Sequence, residues 1–385
     1  MVERKHDSRR LAELTARSPI VTILGARQVG KTTLAKQLIA RWKGPSAYFD
    51  LELPRDVARL GEPTLTLERL SGLVVLDEIQ RLPSLSPVLR ALADRRRVPA
   101  RFVLLGSASP ALIRGVSESL AGRVAFMELQ GFFPEDVGPS KLERLWLRGG
   151  FPRSFLARTT RESVEWRQDF MRTFLERDIP QLGIGVAAAT LERFWRMIAH
   201  YHAQLWSGAE LARSLGVAES TVRRYLELLA GTYVVRTLRP WHENVGKRQV
   251  KAPKVFLSDT GLLHSLLDIE TARDLEGHPK CGASWEGFAM AAVVRQLRAP
   301  WEKCYFWRTH QGAEIDLLVV RGRKRLGFEF KRTDAPTLTR SMHVGMEDLG
   351  LARLDVIHAG DHVFPLASRV RAVPLARVLD EIEPL

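Results

Sequence analysis

The stretch Val21–Leu34, VTILGARQVGKTTL, limits the folds open to this chain more than any other. Its first residues, Val21, Thr22, Ile23 and Leu24, form a short apolar run rich in β-branched side chains, which predicts a buried parallel strand. The run passes into Gly25-Ala26-Arg27-Gln28-Val29-Gly30-Lys31-Thr32, a fit to G-x-x-x-x-G-K-[ST], and then into a helical segment at Thr33–Trp42. Strand, glycine-rich loop and helix in that order make a phosphate cradle. The glycines let backbone N–H groups turn inward, and the helix N-terminus adds positive potential. Gly25 through Thr33 are therefore the candidate nucleotide contacts. Lys31 is expected on the β- and γ-phosphates, and the Thr32 hydroxyl on Mg²⁺.

Further along, short apolar runs alternate with helical patterns, as a doubly wound α/β domain requires. An opening helix is expected over residues 1–17. Tyr48–Glu52 reads as a strand, Leu65–Leu70 as a helix and Leu73–Leu76 as a wholly apolar strand ending in Asp77-Glu78. Asp77, just past a buried strand, is placed to hold the Mg²⁺ shell. Glu78, one residue on, is placed to orient or deprotonate an attacking water. Leu85–Arg97 carries Leu85, Val88, Leu89 and Leu92 at helical spacing, and Phe102–Leu105 is a third buried strand, ending in Gly106-Ser107. That strand should lie beside the phosphate-loop strand and bring the Ser107 hydroxyl to the γ-phosphate or to the attacking water. Arg123, after a short helix, is a candidate arginine finger for a neighbouring subunit's site, with Arg114 as its competitor.

These residues resemble a known family. GARQVGKTTL, LVVLDEIQ, LLGSAS, SLAGR and GGFP (Gly149–Pro152) are similar to AAA-type P-loop ATPases that carry a C-terminal domain of unknown function, widespread in archaea and bacteria. The similarity runs on through FLERDI, TVRRYLELL and VFLSDTGL, and so covers nearly the whole chain. It implies ATP and Mg²⁺ as cofactors, Asp77 and Glu78 as the Walker B pair, Ser107 as sensor 1 and Arg123 as the finger. It also implies a ring, such as a hexamer.

Charge speaks to the partner. The chain of 385 residues has 58 Lys and Arg against 44 Asp and Glu, a formal net charge of +14. Such a surplus favours a polyanion, most often nucleic acid. It is concentrated between residues 196 and 254, with ten Lys or Arg against four Asp or Glu. There, Leu191–His202, Ser207–Gly216 and Ser220–Ala230 read as three helices, followed by strands at Thr232–Leu238 and Lys254–Leu257. A short helix, a glycine-bearing turn and a helix with basic first turns make a helix-turn-helix, and the loop 242–251 would be its wing. Thr221, Arg223, Arg224, Lys247, Arg248 and Lys251 are the candidate DNA contacts. The alternative use of such a module is packing within a ring.

The last third carries a second carboxylate set. Glu286 opens an amphipathic helix that runs to Arg298. Glu314–Val320 and Leu326–Lys331 read as adjacent strands, on which Glu329 and Lys331 share a face and Asp316 faces them. Glu286, Asp316, Glu329 and Lys331 look like the PD-(D/E)XK nuclease core, in which carboxylates hold Mg²⁺ and the lysine positions water for phosphodiester cleavage.

The expected architecture is α/β throughout. An AAA-type P-loop core spans 1–148, a helical lid or connector 149–190, a winged helix-turn-helix 191–257 and a restriction-endonuclease-like domain 258–385. Within the connector, Arg153 is a candidate second sensor, and Trp166, Phe170 and Phe174 recur at spacing four. The function expected is an oligomeric ATP-hydrolysing motor on duplex or branched DNA, for translocation, remodelling or branch migration. The C-terminal set adds a candidate for metal-dependent cleavage. The rivals are an ATP-controlled signalling switch on a protein partner and a nuclease that uses ATP only for regulation. No apolar run approaches the ~20 residues of a membrane span. Two cysteines and no secretory h-region point to a reducing cytoplasm.

Overall fold

A computed structural model describes residues 2–95, 100–109, 120, 122–183, 185–242 and 252–385. They form two compact units. One comprises Met1–Gly131 with Glu227–Val234, the other Phe132–Leu226 with Val235–Leu385.

The first unit is built on five parallel strands: β1 (Ile20–Leu24), β2 (Ser46–Asp50), β3 (Gly72–Asp77), β4 (Ala100–Gly106) and β5 (Val124–Glu128). Their order is β2-β3-β4-β1-β5. Strands buried on both faces need continuous apolar sequence, and β1, β3 and β4 supply it. Val21, Ile23, Val74, Val75, Val103 and Leu104 are all fully buried. Each such side chain contributes about 1.5–3 kcal/mol of burial. Because β4 lies between β1 and β3, the ends that carry the chemistry are neighbours. Leu24 pairs with Gly106, and Leu76 with Leu104. The phosphate loop, Ser107 and Asp77 thus leave the sheet along one edge, where ligands bind open α/β sheets. β5 sets Val124 against Ile20, so Arg123 sits at the opposite edge.

Two helices of this unit are shorter than expected, and one is shifted. The first runs Lys5–Arg17 and buries Leu11 and Leu14. The one expected over Leu85–Arg97 ends at Ala93, with Asp94 as its C-cap. Pro63 starts the helix Pro63–Glu68, two residues before the apolar pattern.

The second unit carries nine strands: β6 (Gln204–Leu205), β7 (Val235–Pro240), β8 (Lys254–Leu257), β9 (Cys304–Arg308), β10 (Glu314–Arg321), β11 (Lys324–Lys331), β12 (Arg353–His358), β13 (Phe364–Ala367) and β14 (Val370–Pro374). Their order is β13-β14-β12-β11-β10-β9-β7-β8-β6. The segments 191–257 and 258–385 therefore share one sheet. The joint is the parallel pairing of β7 with β9, Arg239 opposite Tyr305 and Pro240 opposite Phe306. The Trp241 N–H donates to the Phe306 carbonyl at 2.7 Å, and the Trp301 indole N–H to the Thr237 carbonyl at 3.0 Å. A composition shift at residue 257 is invisible to such backbone pairing.

Ahead of the sheet lie helices Thr160–Thr173, Ala188–His200 and Gly208–Leu215, and the start of Glu219–Gly231. Trp166, Phe170 and Phe174 stack in series, with centroids 5.4 and 6.0 Å apart, and Phe174 reaches Trp195 at 5.2 Å. After the helix Cys281–Leu297, β9, β10 and β11 form an antiparallel meander. A helix at Arg340–Asp348 then leads to β12, parallel to β11. Met342 and Met346 of that helix pack on Trp307, Ile315 and Leu318 in the core.

Candidate functional site

The phosphate loop follows β1 and is held from three sides. Gly25 takes φ +153°, a conformation L side chains rarely adopt, and a β-carbon there would lie 2.0 Å from the Leu129 carbonyl oxygen. Gly30, at φ 102°, turns the chain into the helix Lys31–Arg41. The Arg4 guanidinium donates to the Val29 carbonyl at 3.1 Å and to the Gln130 and Gly131 carbonyls at 2.7 and 3.0 Å. It also pairs with Asp7 at 2.9 Å. Arg4 therefore props the loop from below, although no local pattern around it marks that role. Arg27, within the loop, is tied to Glu52 at 2.7 Å.

Lys31 lies over the loop. Its Nζ donates to the Gly25 and Ala26 carbonyls, each at 2.9 Å, and to the Ser107 hydroxyl at 3.3 Å. The Thr32 hydroxyl, on the first turn of the helix Lys31–Arg41, donates to Asp77 Oδ2 at the end of β3 at 2.7 Å. The Tyr48 hydroxyl donates to that same oxygen at 2.7 Å. Tyr48 is a second residue that sequence reasoning missed, since a strand tyrosine has no motif of its own. Burial first, and then the bond to Asp77, hold its pKa well above the ordinary tyrosine value, so it stays a donor. Glu78 sits at φ 57°, left-handed for a non-glycine residue. That twist sets its Oε2 3.2 Å from the Ser107 hydroxyl, and the Gln80 amide donates to the same oxygen.

The structure thus brings Lys31, Thr32, Asp77, Glu78 and Ser107 together at the carboxyl ends of β1, β3 and β4. Beside them opens a cleft of about 660 Å³, lined by Lys36, Tyr48, Asp50 and Asp56 among others. The oxygen donors of Thr32 and Asp77 suit a hard divalent cation such as Mg²⁺. Arg123 does not join this group. It pairs with Asp94 at 2.5 Å, at the far edge of the sheet. Arg114 lies outside the described residues.

In the second unit, Arg223 and Arg224 are exposed on the second turn of Glu219–Gly231, Thr221 is half-buried, and Val222 and Tyr225 face inward. Arg223 pairs loosely with Glu219 at 3.5 Å. Lys247, Arg248 and Lys251 lie outside the described residues. Arg153 lies in the short helix Pro152–Phe155 of this unit.

The C-terminal set does converge, around two lysines. Lys331 Nζ is 2.8 Å from Glu329 and 3.7 Å from Asp316. Lys254, from the start of β8, reaches Glu314 at 2.5 Å, Glu286 at 3.3 Å and Asp316 at 3.8 Å. Glu314 and Lys254 were not legible as members, since each reads as an ordinary strand end. Burial, with the Asp316 charge adding to it, holds Glu286 up at about 7 and Glu329 at about 8, against the downward pull of Lys254 and Lys331. Burial works against the Lys254 ammonium too, but Glu286, Asp316 and Glu314 outweigh it and hold its pKa above the usual lysine value.

A phosphate loop after β1, an acidic pair after β3 and a strand between them define an AAA-type P-loop domain, and residues 17–136 match the family described as "AAA domain". The chain belongs to a family of AAA-type P-loop proteins that includes the uncharacterized proteins Rv2008c of Mycobacterium tuberculosis and Mb2031c of Mycobacterium bovis. Each is 52% identical over 379 residues, which are 98% of this chain and 85% of the relative. Residues 139–273 and 281–378 match two domains of unknown function, DUF8612 and DUF4143. Among solved structures, the Walker-type ATPase PabY2304 of Pyrococcus abyssi is 16% identical with a TM-score of 0.49, over 69% of this chain and 96% of that one. The RuvB Holliday junction branch migration motor of Thermotoga maritima is 16% identical with a TM-score of 0.31, over 61% and 89%. Among the described residues, no helix is long and apolar enough to cross a membrane.

Proposed function

We propose that this chain hydrolyses ATP at the phosphate loop and uses the turnover, as an oligomeric ring, to move or remodel duplex or branched DNA. The observation that carries the hydrolytic part is the placement of the Glu78 carboxylate, 3.2 Å from Ser107, which is itself 3.3 Å from Lys31. In this reading the backbone of Gly25–Thr33 cradles the phosphates, and Lys31 leaves the Gly25 and Ala26 carbonyls to meet the β- and γ-oxygens. Thr32 and Asp77 would hold Mg²⁺, which would supply charge neutralisation on those oxygens. Glu78 takes the proton of the attacking water, and Ser107 orients that water against the γ-phosphate. Tyr48 keeps the Asp77 carboxylate turned toward Thr32. Arg123, remote from its own loop, serves a neighbour's site, which is what makes a ring the working form.

The DNA part rests on charge and on local order. A net +14, and a helix-strand-helix-helix-strand-strand run ending at Leu257 with Arg223 and Arg224 exposed, fit a winged helix whose second helix enters a major groove. The loop that would be its wing includes residues outside the described set.

Steady-state ATP hydrolysis with no DNA, single strands, duplex and a four-way junction, repeated across a salt series, tests the proposal. Stimulation by DNA that fades steeply as salt rises is the expected result. A rate indifferent to all three DNAs, with no DNA retained at low salt, overturns the DNA part and leaves an ATP-controlled switch on a protein partner.

A further inference from the structure

The likeness of the C-terminal set to a metal-dependent nuclease makes a specific demand. Glu286, Asp316 and Glu329 must leave a space in which a divalent cation meets their oxygens. The described structure sets Lys254 between Glu286 and Asp316, and Lys331 between Asp316 and Glu329.

Lys254 Nζ lies within 4 Å of three carboxylates from three different elements: Glu286 on the helix Cys281–Leu297, and Glu314 and Asp316 on β10. The lysine is 3% exposed. Its backbone is paired on both sides, with Leu238 of β7 and with Leu205 of β6, which fixes where the stem starts. Its ammonium also lies 5.6 Å from the centre of the Phe306 ring, which favours a cation there. Lys331 neutralises the other end of the set, between Glu329 and Asp316. Arg308 reaches Glu314 at 3.4 Å. Four carboxylates thus already have three fixed cationic partners. A dication placed among them would meet the ammonium at contact distance in a desolvated site, where like charges repel most strongly. Among the described residues, no group of three or more His, Cys, Asp or Glu is arranged to hold a metal ion.

We infer that Lys254 takes the position a divalent cation would fill among Glu286, Glu314 and Asp316, so that these carboxylates hold a built-in ammonium and no catalytic metal. The set then fastens β8 to β10 and to the helix behind them. The residues Glu286, Asp316, Glu329 and Lys331 keep the pattern of a nuclease without its cation. This inference is independent of the ATP reading, and its test is run with the phosphate-loop metal site silenced.

The experiment uses the full chain carrying Asp77→Asn, with Mn²⁺ as the probe, followed by its electron spin resonance signal and by thermal melting. The chain with Lys254 intact should bind no Mn²⁺ that depends on Asp316, and its melting should not respond to the ion. Lys254→Ala should gain one Mn²⁺ site, removed again by adding Asp316→Asn. Its melting temperature should rise by about 3 °C at ten times the dissociation constant. Lys254→Gln, which keeps a polar head of similar length, is carried alongside and should behave in the same way. If the variants fold only when Mn²⁺ is present, that too supports the inference. Mn²⁺ bound by the Lys254-bearing chain and released by Asp316→Asn would overturn it. So would folded Lys254→Ala and Lys254→Gln chains that bind no Mn²⁺.

Discussion

Replacing Gly25 by alanine drives a methyl group into the backbone that follows β5. The added carbon would sit 2.0 Å from the Leu129 carbonyl oxygen, where ordinary contact starts near 3.4 Å, so about 1.4 Å of movement is needed. Neither side yields easily. The Leu129 N–H donates to the Leu24 carbonyl at 2.7 Å, and the Gly25 carbonyl is held by Lys31 at 2.9 Å. The overlap is with main chain, so no rotamer relieves it. Overpacking of this kind costs about 1–3 kcal/mol, and a non-glycine residue in so rare a backbone conformation costs a further ~1–3 kcal/mol. A loss near the middle of that combined range, about 4 kcal/mol, lowers the melting temperature of the nucleotide-binding unit by roughly 10–15 °C. Relaxation by loop movement should cost ATP affinity at least about a hundredfold, because the cradle depends on inward N–H groups. Gly216→Ala is the control. Its φ is +69° in open space, so it bears only the left-handed penalty of about 1–2 kcal/mol. Melting and fluorescent-nucleotide titration read both effects. A Gly25→Ala chain that melts with the wild type and binds ATP equally well would refute the packing argument.

Three further outcomes follow from contacts beyond the motif. Tyr48→Phe removes one of the two donors to Asp77 Oδ2 and should weaken Mg²⁺-dependent ATP binding about fivefold, the worth of one hydrogen bond, with melting little changed; isothermal titration with and without Mg²⁺ checks it. Arg4→Met should lower ATP affinity about tenfold or more while Lys31 and Thr32 are untouched, since three carbonyls lose their donor; equal affinity would show that the loop holds itself. Acid should bring a destabilising contribution to the second unit from His202 and His264, both buried and both held neutral, with pKa values lowered from 6.5 to about 3 by burial. The unfolded chain binds these protons first, so their contribution is complete above pH 6.5 and falls as pH drops from there toward 3. At pH 5.5 each costs about 1.4 kcal/mol. Glu286 and Glu329, raised to about 7 and about 8, titrate in the same window with the opposite sign, so the histidine contribution is read as a difference between chains: from pH 8 to pH 5.5, denaturant melts should show His264→Gln losing about 1.4 kcal/mol less to this acid effect than the wild type. A His264→Gln chain whose stability changes with pH by the same amount as the wild type's would contradict the buried neutral assignment.

The phosphate loop was legible because its chemistry is local. Gly25, Gly30, Lys31 and Thr32 sit in one loop, and an apolar strand before it leaves little choice of fold. Ser107 was legible one step further out, since parallel alternation puts the β4 end beside β1, and the register of Leu24 with Gly106 agrees. The aromatic series of Trp166, Phe170 and Phe174 followed from spacing alone. Arg4 was not legible, because its partners lie 25 and more than 120 residues away and any exposed arginine reads the same in sequence. Lys254 was hidden by its surroundings. In a basic stretch it counted as one more positive charge, and only the β6–β8–β7 pairing turns it toward Glu286 and Asp316. The expected break at residue 257 failed to separate two bodies for a related reason, since the β7–β9 pairing is made by backbone and leaves no compositional trace.

Phosphate release under saturating ATP and Mg²⁺, measured for the wild type and for Glu78→Gln side by side, bears most directly on the claim that this site hydrolyses ATP. Glutamine keeps the shape of Glu78 and can still meet Ser107, but it cannot accept the proton of water. Lys31→Ala, expected to abolish nucleotide binding, marks the floor of the assay. The account predicts that Glu78→Gln binds ATP within about threefold of the wild type yet turns over ~10²–10⁴-fold more slowly, the usual contribution of a general base. A Glu78→Gln chain that releases phosphate at the wild-type rate would contradict it.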